Sequence, residues 1–474
     1  MPTLANDSAG ERGRGRGGLG MGALFAASIG VIVAQIGMVS LTQGIGIGGW
    51  GFVLALLLAF GIAMANAMAY AEMALMMPSA GSLSSYAEAA LGNFPAILLV
   101  FAGYVTPAIF GVPAELILAD QILAQAIPIH LPALSWSVGI VLVFTILNIL
   151  GTDVFAKVQT ILSVVVLAFL VLSGGLALSG LGSAAPQLGA GLDMATFGKD
   201  PVTLGVAALA FWVFVGSEFV TPLVTEARNA RRDLPRAMLG GLLVIFVAQM
   251  LYALGSAALI SRANLVGSAT PHLDYAVATF GGTARVWFAL LALLATSSLI
   301  NTVLAAVPRM LLGMAQNGQV FPIFKHVHPR WGTPVVAIAF VACLPLIGLA
   351  WSGGDVNAIL PLMIAASISW LLAYMMAQIS LIVLRRRYPN AVRPYRVPGY
   401  PVTPLLAITG MAVVVLKSSP DPSMTGQIAE YTGMVLAVFA LIGALWVKRI
   451  MKKNLFQPAV PAGLEEALAG RDQP

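Results

Sequence analysis

Long apolar blocks, several of them 18 residues or more without a charged side chain, restrict the fold of this sequence more than any other feature. A helix of that length crosses the roughly 30 Å hydrocarbon core of a bilayer. Only 9% of the 474 residues are charged, against about a quarter in ordinary soluble domains. A transmembrane β-barrel would instead show short strands of alternating polarity. The sequence therefore predicts an all-α integral membrane protein in a lipid bilayer.

The apolar blocks predict about twelve transmembrane helices within one membrane domain at residues 20–450. We place these spans at residues 20–45, 50–77, 94–127, 133–151, 155–181, 201–226, 236–260, 283–314, 333–352, 356–384, 402–418 and 428–449. Residues 1–19 are predicted to form a disordered N-terminal tail and residues 451–474 a C-terminal tail. The single cysteine, Cys343, excludes an intrachain disulfide bond.

Basic side chains are concentrated on one side of the predicted spans, which we call the arginine-rich side. It carries the N-tail arginines, Lys157, Arg228, Arg231, Arg232, Arg236, Lys325, Arg330, Arg385, Arg386, Arg387, Arg393, Arg396, Lys448, Arg449, Lys452 and Lys453. The opposite side carries only Lys199, Arg262, Arg285 and Lys417. The positive-inside rule then predicts that both tails are cytoplasmic. The arginines before Gly18 are interpreted as a topogenic flank, and no nucleic-acid partner is expected.

Two spans contain residues that weaken a helix in the middle of the membrane. The first reads SIGVIVAQIGMVSLTQGIGIGG and the sixth reads AFWVFVGSEFVTP, with Gly216, Ser217 and Glu218 at its centre. Lipid does not tolerate unpaired backbone, so interrupted spans indicate protein-lined cavities. They open the two possible five-span halves, 20–181 and 201–384, as in transporters built on an inverted repeat. A carboxylate at that depth is costly and usually serves a site.

Four segments resemble the amino acid–polyamine–organocation (APC) superfamily of permeases. They are SEFVTPLVTEARNARRDLPRAM (217–238), YAEMALMMPSAGSLSSYAEAALG (70–92), MAQNGQVFPIFKHVHPRWGTPVVA (314–337) and RRRYPNAVRPYRVPGYPVTP (385–404). Ala230 and Ser82 depart from the usual proline and glycine. The resemblance to these bacterial transporters and exchangers implies five-plus-five inverted repeats, two further helices at 402–449, alternating access and a bacterial inner membrane.

The resemblance also indicates which residues would bind the substrate and what kind of substrate they suit. Members usually carry a glycine-rich break in span one whose N–H groups hold the substrate carboxylate. Here the matching region is Ala34 to Met38, so Gln35, Ile36 and Gly37 become the substrate-binding candidates, with a poor carboxylate site. Trp212 and Glu218 match a Trp-x-x-x-x-x-Glu pattern of cationic exchangers, which favours a cationic amine or polyamine. An amino acid remains the alternative substrate.

Other candidates come from spans three and eight. Tyr104 is placed near the substrate, although packing is its commoner role, and Asn301 lies near a position that is a substrate-facing aromatic in the exchangers. We interpret Glu115 as an interfacial carboxylate rather than a ligand. Glu88 is interpreted as a surface charge on a loop helix.

The coupling ion is left open. Proton-coupled family members place a lysine in span five, and our alignment puts an apolar residue near Val166 at that position. Three possibilities remain, namely exchange without an ion, proton coupling through Glu218, and sodium bound near Ser297 and Ser298. No enzyme motif, metal site or cofactor is expected. The main hypothesis is a secondary transporter, and the alternative is a non-transporting sensor with the same fold.

Overall fold

The computed structural model describes residues 18–127, 129, 131–184, 205–417, 422–460 and 464–468. The predicted disordered tail, the N-tail arginines and Lys199 therefore lie outside the described residues, apart from Gly18 and Leu19.

The described helices supply the predicted spans, which confirms the all-α membrane fold. In chain order they are Met21–Ile29 with Gln35–Gly48, Trp50–Met76, Asn93–Ala126, Ser135–Ile149, Thr152–Ser179, Ala207–Trp212 with Ser217–Glu226, Ala230–Leu259, Ala284–Gln316, Val335–Ser352, Ile359–Arg387, Val402–Leu416 and Pro422–Leu445. Nine segments among the described residues are long and apolar enough to cross a membrane, and two shorter apolar helices are spans four and eleven. The chain is thus an integral membrane protein.

Four of the described spans depart from a continuous α-helix, the last of them being span twelve, which ends in a π-helical turn at Trp446–Ile450. Span one is two half-helices separated by residues 30–34, and span six is a short α-helix followed by the 3₁₀-helix Ser217–Glu226. Span three contains one π-helical turn at Phe101–Val105. The interruptions of spans one and six fall where the sequence predicted them, and π-helical turns inside α-helices are frequent at functional sites.

Burial places the interrupted spans at the centre of the bundle. Within the most apolar stretch of each helix, 94% of residues are buried in span six and 83% in spans three and eight, but only 17% in span twelve. Spans one, three, six and eight therefore form the interior, while span twelve faces outward. A site built from these four spans is shielded from lipid.

Polar contacts tie the central spans together on the arginine-rich side. Leu19 N donates to Glu226 O at 2.8 Å, joining the start of span one to the end of span six. The Glu226 carboxylate also pairs with Arg309 of span eight at 2.7 Å. The buried Glu72 pairs with Arg385 and accepts from Val397 N at 2.6 Å, which fixes the connector after span ten against span two.

Two short helices between spans seven and eight cover the opposite side. They are Arg262–Gly267 and Pro271–Phe280. Arg262 donates to Gly46 O at 2.9 Å and to Ile47 O at 3.1 Å, so the far end of span one is also held. The second half-helix of span one is therefore anchored to this cap.

Candidate functional site

The breaks of spans one and six meet each other inside the bundle. Gly216 has φ +125° and begins the 3₁₀-helix of span six. A Cβ placed on Gly216 would lie 2.6 Å from Cβ of Val31, which belongs to the break of span one. Both the positive φ angle and this close approach require glycine at the position. The two interrupted segments thus form one junction.

At the break of span one, two backbone N–H groups bind the carboxylate of Glu115 from span three. Gln35 N donates to Oε1 at 2.8 Å and Ile36 N donates to Oε2 at 2.7 Å. These are the first two N–H groups of the half-helix Gln35–Gly48, which have no partner within the helix. The carboxylate therefore caps the positive end of this half-helix.

The interpretation of Glu115 as an interfacial carboxylate is wrong. Its side chain is fully buried and lies level with the break of span one. Span three runs from Asn93 to Ala126, longer than a bilayer requires. Counting along so long a helix placed Glu115 too near the surface, whereas its contact with span one fixes its depth.

The side chain of Gln35 extends the network around Glu115. Thr296 of span eight donates to Glu115 Oε1 at 2.8 Å and lies 3.3 Å from Gln35 Oε1. Gln35 Nε2 lies 3.0 Å from Nε2 of His272. An amide nitrogen only donates, so the histidine nitrogen accepts. His272 is in the helix that covers the junction, where burial lowers its pKa to about 3, so its ring is neutral.

Glu218 lies at the break of span six among tyrosine side chains. It is 1% exposed, and Tyr104 Oη donates to its Oε1 at 3.3 Å. Tyr70 and Tyr374 also place hydroxyl groups near this carboxylate. Neither of these hydroxyls, nor Oε2 of Glu218, has a hydrogen-bond partner of regular geometry among the described residues. The carboxylate is therefore buried but only partly satisfied.

An aromatic cavity adjoins this carboxylate. Its volume is about 10 Å³, which admits one water-sized molecule. The lining residues are Tyr104, Pro107, Ala108, Gly111, Val112, Trp212, Phe219, Leu299, Val303 and Trp370. The Trp212 and Trp370 rings lie 5.5 Å apart, and Trp370 Nε1 has no partner among the described residues. A cavity of this volume is too small for an amine or an amino acid, so a substrate fits there only after the lining residues move apart.

Spans one, five and eight meet in a separate polar network. Ser298 Oγ donates to Gly30 O at 2.8 Å and accepts from Gln159 Nε2 at 2.7 Å. The same amide nitrogen donates to Ser163 Oγ at 3.0 Å. Span five thus contributes Gln159 and Ser163 to this network, and the alignment of an apolar residue near Val166 with the coupling lysine of relatives stays a prediction.

Asn301 belongs to this network and does not line the aromatic cavity. Its Nδ2 donates to Gln159 Oε1 at 2.9 Å, and its Oδ1 accepts from Asn148 Nδ2 at 2.9 Å. The cavity residues of span eight are Leu299 and Val303 instead. Asn301 therefore does not line this cavity, and its contact with substrate stays a prediction.

The other predicted site residues take varied positions. Ile36 contributes its N–H group to the Glu115 contact, and Gly37 N donates to Ala34 O at 3.1 Å within the helix. Ser217 is buried at the start of the 3₁₀-helix beside Gly216. Ser297 is buried next to Ser298. Among the described residues, no group of three His, Cys, Asp or Glu side chains is placed to hold a metal ion.

Glu88 is not a surface charge, and that interpretation is wrong. It is 2% exposed, and Gln319 donates to its Oε2 at 2.9 Å. The C-terminal tail covers it, with Ala459 N donating to Glu88 O at 3.2 Å and Leu455 O accepting from Phe94 N at 3.2 Å. Burial raises the pKa of Glu88 to about 7, and nearby Lys453 partly offsets this rise. The site is on the arginine-rich side, away from the aromatic cavity.

A buried junction of two interrupted helices inside a helical membrane bundle is typical of secondary transporters. The amino acid permease family model matches residues 19–445, so the chain belongs to this family.

Individual relatives and a solved structure agree with this assignment. The serine/threonine exchanger SteT of Bacillus subtilis (strain 168) is 27% identical over 385 residues, covering 79% of this chain and 84% of SteT. The branched-chain amino acid permease BcaP of the same organism is 26% identical over 430 residues, covering 84% and 86%. Mhp1, a nucleobase-cation-symport-1 family transporter solved in a closed conformation with bromovinylhydantoin bound, has a TM-score of 0.56 at 15% identity, covering 95% of this chain and 96% of that chain.

These findings confirm the predicted superfamily and the transporter class. The likeness to Mhp1 concerns the fold alone. The family and the relatives are transporters, so the chain is a secondary transporter in a lipid bilayer that moves a small molecule, and it is not an enzyme.

Proposed function

We propose that this protein carries a small organic amine across the membrane by alternating access. The observation that carries the proposal is the Glu218 carboxylate, buried at the break of span six with Oε2 lacking a hydrogen-bond partner of regular geometry among the described residues, although the Tyr374 hydroxyl lies close to the carboxylate. A buried carboxylate without a full set of donors is costly, and a cation relieves that cost. An ammonium group supplies both charge and hydrogen-bond donors.

The aromatic residues beside Glu218 suit the same cation. Trp212, Trp370 and Phe219 line the adjoining cavity, and the ring of Phe219 lies 5.1 Å from that of Tyr104. Aromatic faces attract ammonium groups, most strongly when water is excluded. We propose that the substrate ammonium lies between the Glu218 carboxylate and the Trp212 ring, with Tyr104 fixing the carboxylate.

For coupling, we propose either exchange of one amine for another or a proton carried by Glu218. Sodium at Ser297 and Ser298 is disfavoured, because Ser298 already donates to Gly30 O and accepts from Gln159. The Gln159 amide does not titrate, so it also offers no replacement for a coupling lysine. Transport independent of sodium is therefore expected.

We further propose that both tails face the cytoplasm and that the protein belongs to a bacterial inner membrane. The support is the bias of basic residues toward one side of the spans. Cysteine accessibility checks it: a Cys343→Ser background carrying Lys417→Cys, an exposed position at the end of span eleven, should react with a membrane-impermeant thiol reagent added to the opposite side, not to the arginine-rich side. The reverse labelling would overturn the orientation.

Uptake into proteoliposomes tests the proposed substrate class. We expect labelled putrescine to accumulate and to exchange with unlabelled putrescine inside, without sodium. A proton gradient that raises the initial rate would select proton coupling, and exchange without any gradient would select exchange. Glu218→Gln should abolish uptake, while Glu430→Gln, which changes an exposed carboxylate, should leave it intact. Sodium-dependent uptake, or failure of saturable uptake for putrescine, agmatine and ethanolamine alike, would contradict the proposal.

An amino acid is the second candidate substrate. The relatives named above include a serine/threonine exchanger and a branched-chain amino acid permease, both carriers of molecules with a carboxylate. The two candidates differ at the break of span one, where a substrate carboxylate would need free N–H groups. A sensor that transports nothing would show no uptake of either class.

A further inference from the structure

We infer that Glu115 is a specificity-determining residue whose carboxylate takes the place of a substrate carboxylate, so that the substrate is an amine without one. This inference rests on the proposed function and names the class of amine. It concerns the N–H groups of Gln35 and Ile36 at the break of span one.

The geometry of the contact is that of a bound carboxylate. Each oxygen of Glu115 accepts from a different backbone N–H group, at 2.8 and 2.7 Å. These N–H groups begin a half-helix of 14 residues, and helix N-termini bind anions through their N–H groups and dipole. A free amino acid would offer the same two oxygens to the same two donors.

The first three N–H groups of this half-helix already have partners. Gln35 N and Ile36 N bind Glu115, and Gly37 N donates to Ala34 O at 3.1 Å. The Thr296 hydroxyl donates to Glu115 Oε1 at 2.8 Å. An amino acid carboxylate would have to displace Glu115 from these groups.

Charge opposes that displacement further. Two of the three partners of Glu115 are backbone N–H groups, which can only donate and therefore suit a carboxylate that accepts through both oxygens. A second anion beside it would be repelled across a short distance in a medium of low dielectric constant. His272, which contacts the side chain of Gln35, is neutral and supplies no compensating positive charge. The break of span one therefore rejects carboxylates by occupancy and by charge.

Glu115 is close enough to the cavity to act on substrate choice. It lies four residues after Gly111, which lines the aromatic cavity, so both residues lie on the same face of span three, about 6 Å apart along the axis. Thr296 lies three residues before the cavity residue Leu299 on span eight. The occupied N–H groups thus adjoin the cavity, and Glu218 remains for the ammonium group.

The test compares amines with amino acids that differ only by the α-carboxylate. The pairs are putrescine with ornithine, ethanolamine with serine, and agmatine with arginine. In proteoliposomes, the wild-type protein should take up the amine of at least one pair at least tenfold faster than its amino acid. Equal or faster uptake of the amino acid would overturn the inference while leaving a working carrier, so the proposed transport function would survive.

The variant Glu115→Ala probes the vacated N–H groups without any need for transport. We expect acetate to raise the melting temperature of this variant and to leave the wild type and the control Glu430→Gln unchanged. A melting temperature of Glu115→Ala that does not respond to acetate would overturn the inference, whatever the uptake results. If the wild-type protein takes up none of these substrates but acetate stabilises Glu115→Ala, the proposed function is overturned and the inference about Glu115 is not.

Glu115→Gln serves if the alanine variant does not fold. The amide keeps the size of the side chain but replaces one accepting oxygen by a donor that opposes the N–H groups. The preference for the amine over its amino acid should then fall at least tenfold. An unchanged ratio of the two uptake rates would contradict a role of Glu115 in specificity.

Discussion

The two interrupted helices of this transporter differ in how their polar groups are satisfied. At the break of span one, the first N–H groups of the half-helix bind Glu115, and its far end is held by Arg262. At the break of span six, the second oxygen of Glu218 and the hydroxyls of Tyr70 and Tyr374 have no regular partner among the described residues. Both oxygens of the carboxylate at the first break thus have regular partners, whereas one oxygen of the carboxylate at the second break has none.

This difference predicts different roles for the breaks of spans one and six. At the break of span one, protein groups already bind the first N–H groups of the half-helix, so its polar contacts are fixed. At the break of span six, buried polar groups without regular partners favour the binding of a ligand that supplies them. We therefore expect substitutions at the span-six break to change substrate binding. Substitutions at the span-one break should change stability or substrate choice instead.

The largest effect is expected for Glu218→Gln. The amide cannot neutralise an ammonium group, so the initial rate of amine uptake should fall at least a hundredfold. Size-exclusion chromatography of the purified variant in detergent should still give a single symmetric peak, because Gln has nearly the same volume. Uptake at the wild-type rate would mean that the incomplete polar environment of span six has no role in binding.

Two glycines of span one allow a matched test of its packing. A Cβ on Gly30 would lie 2.1 Å from Thr302 Oγ1 and 2.4 Å from Gln159 Nε2, whereas the nearest atom to a Cβ on Gly37 is at 3.5 Å. Gly30→Ala should therefore cost about 1–3 kcal/mol of stability through overpacking. Gly37→Ala should change the stability little. Melting curves should therefore show a lower melting temperature for Gly30→Ala than for Gly37→Ala. Equal melting temperatures would show that the junction of spans one, five and eight is not tightly packed.

A smaller effect is expected for Trp212→Ala. Removal of one aromatic face should raise the apparent KM for the amine about tenfold, in line with a cation–π contribution of roughly 1–2 kcal/mol. Trp212→Phe should restore part of that loss, and Trp351→Ala, which removes a half-exposed ring outside the cavity, should leave KM unchanged. An unaltered KM in Trp212→Ala would mean that this ring only packs.

The smallest effect is expected for the pH dependence of the contact between the helix of Glu88 and the C-terminal tail on the arginine-rich side. Because the pKa of Glu88 is raised from 4.5 to about 7, the folded state holds its proton more tightly than the unfolded chain. Stability of the contact is therefore fully present below about pH 4.5 and declines as the pH rises to about 7.

Hydrogen exchange checks this expectation. Exchange of the Ala459 amide, corrected for its intrinsic rate, should increase a few-fold between pH 6 and pH 8. Glu88→Gln should remove the pH dependence, because the amide does not titrate. Lys453 and Arg387 carry the other charges near this helix. The same pH dependence in Glu88→Gln would assign the effect to another group.

The sequence predicted those features that depend on neighbouring residues. The lengths of the apolar blocks predicted the spans. Gly216 and Ser217, beside Glu218, predicted the break of span six, because a helix is interrupted where its own residues weaken it. The break of span one followed in the same way from its glycines. Both depend on residues a few positions apart, and the structure places them accordingly.

The partners of these breaks could not be predicted, because they depend on which faces of distant spans meet. Glu115 is 80 residues from Gln35, and Gln159 is 139 residues from Ser298. Tyr70, Tyr374 and His272 lie in three further elements and look like ordinary apolar or loop positions in the sequence. The one signal in the sequence was the carboxylate of Glu115 inside the long span three, because a charged side chain within an apolar span, like that of Glu218, usually serves a site.

Structures determined by cryo-electron microscopy with putrescine and, separately, with ornithine would test the central claim most directly. We expect the putrescine ammonium within about 4 Å of Glu218 while Glu115 remains bound to Gln35 N and Ile36 N, and no density for ornithine. A ligand carboxylate bound to those two N–H groups, with Glu115 turned away, would contradict the account.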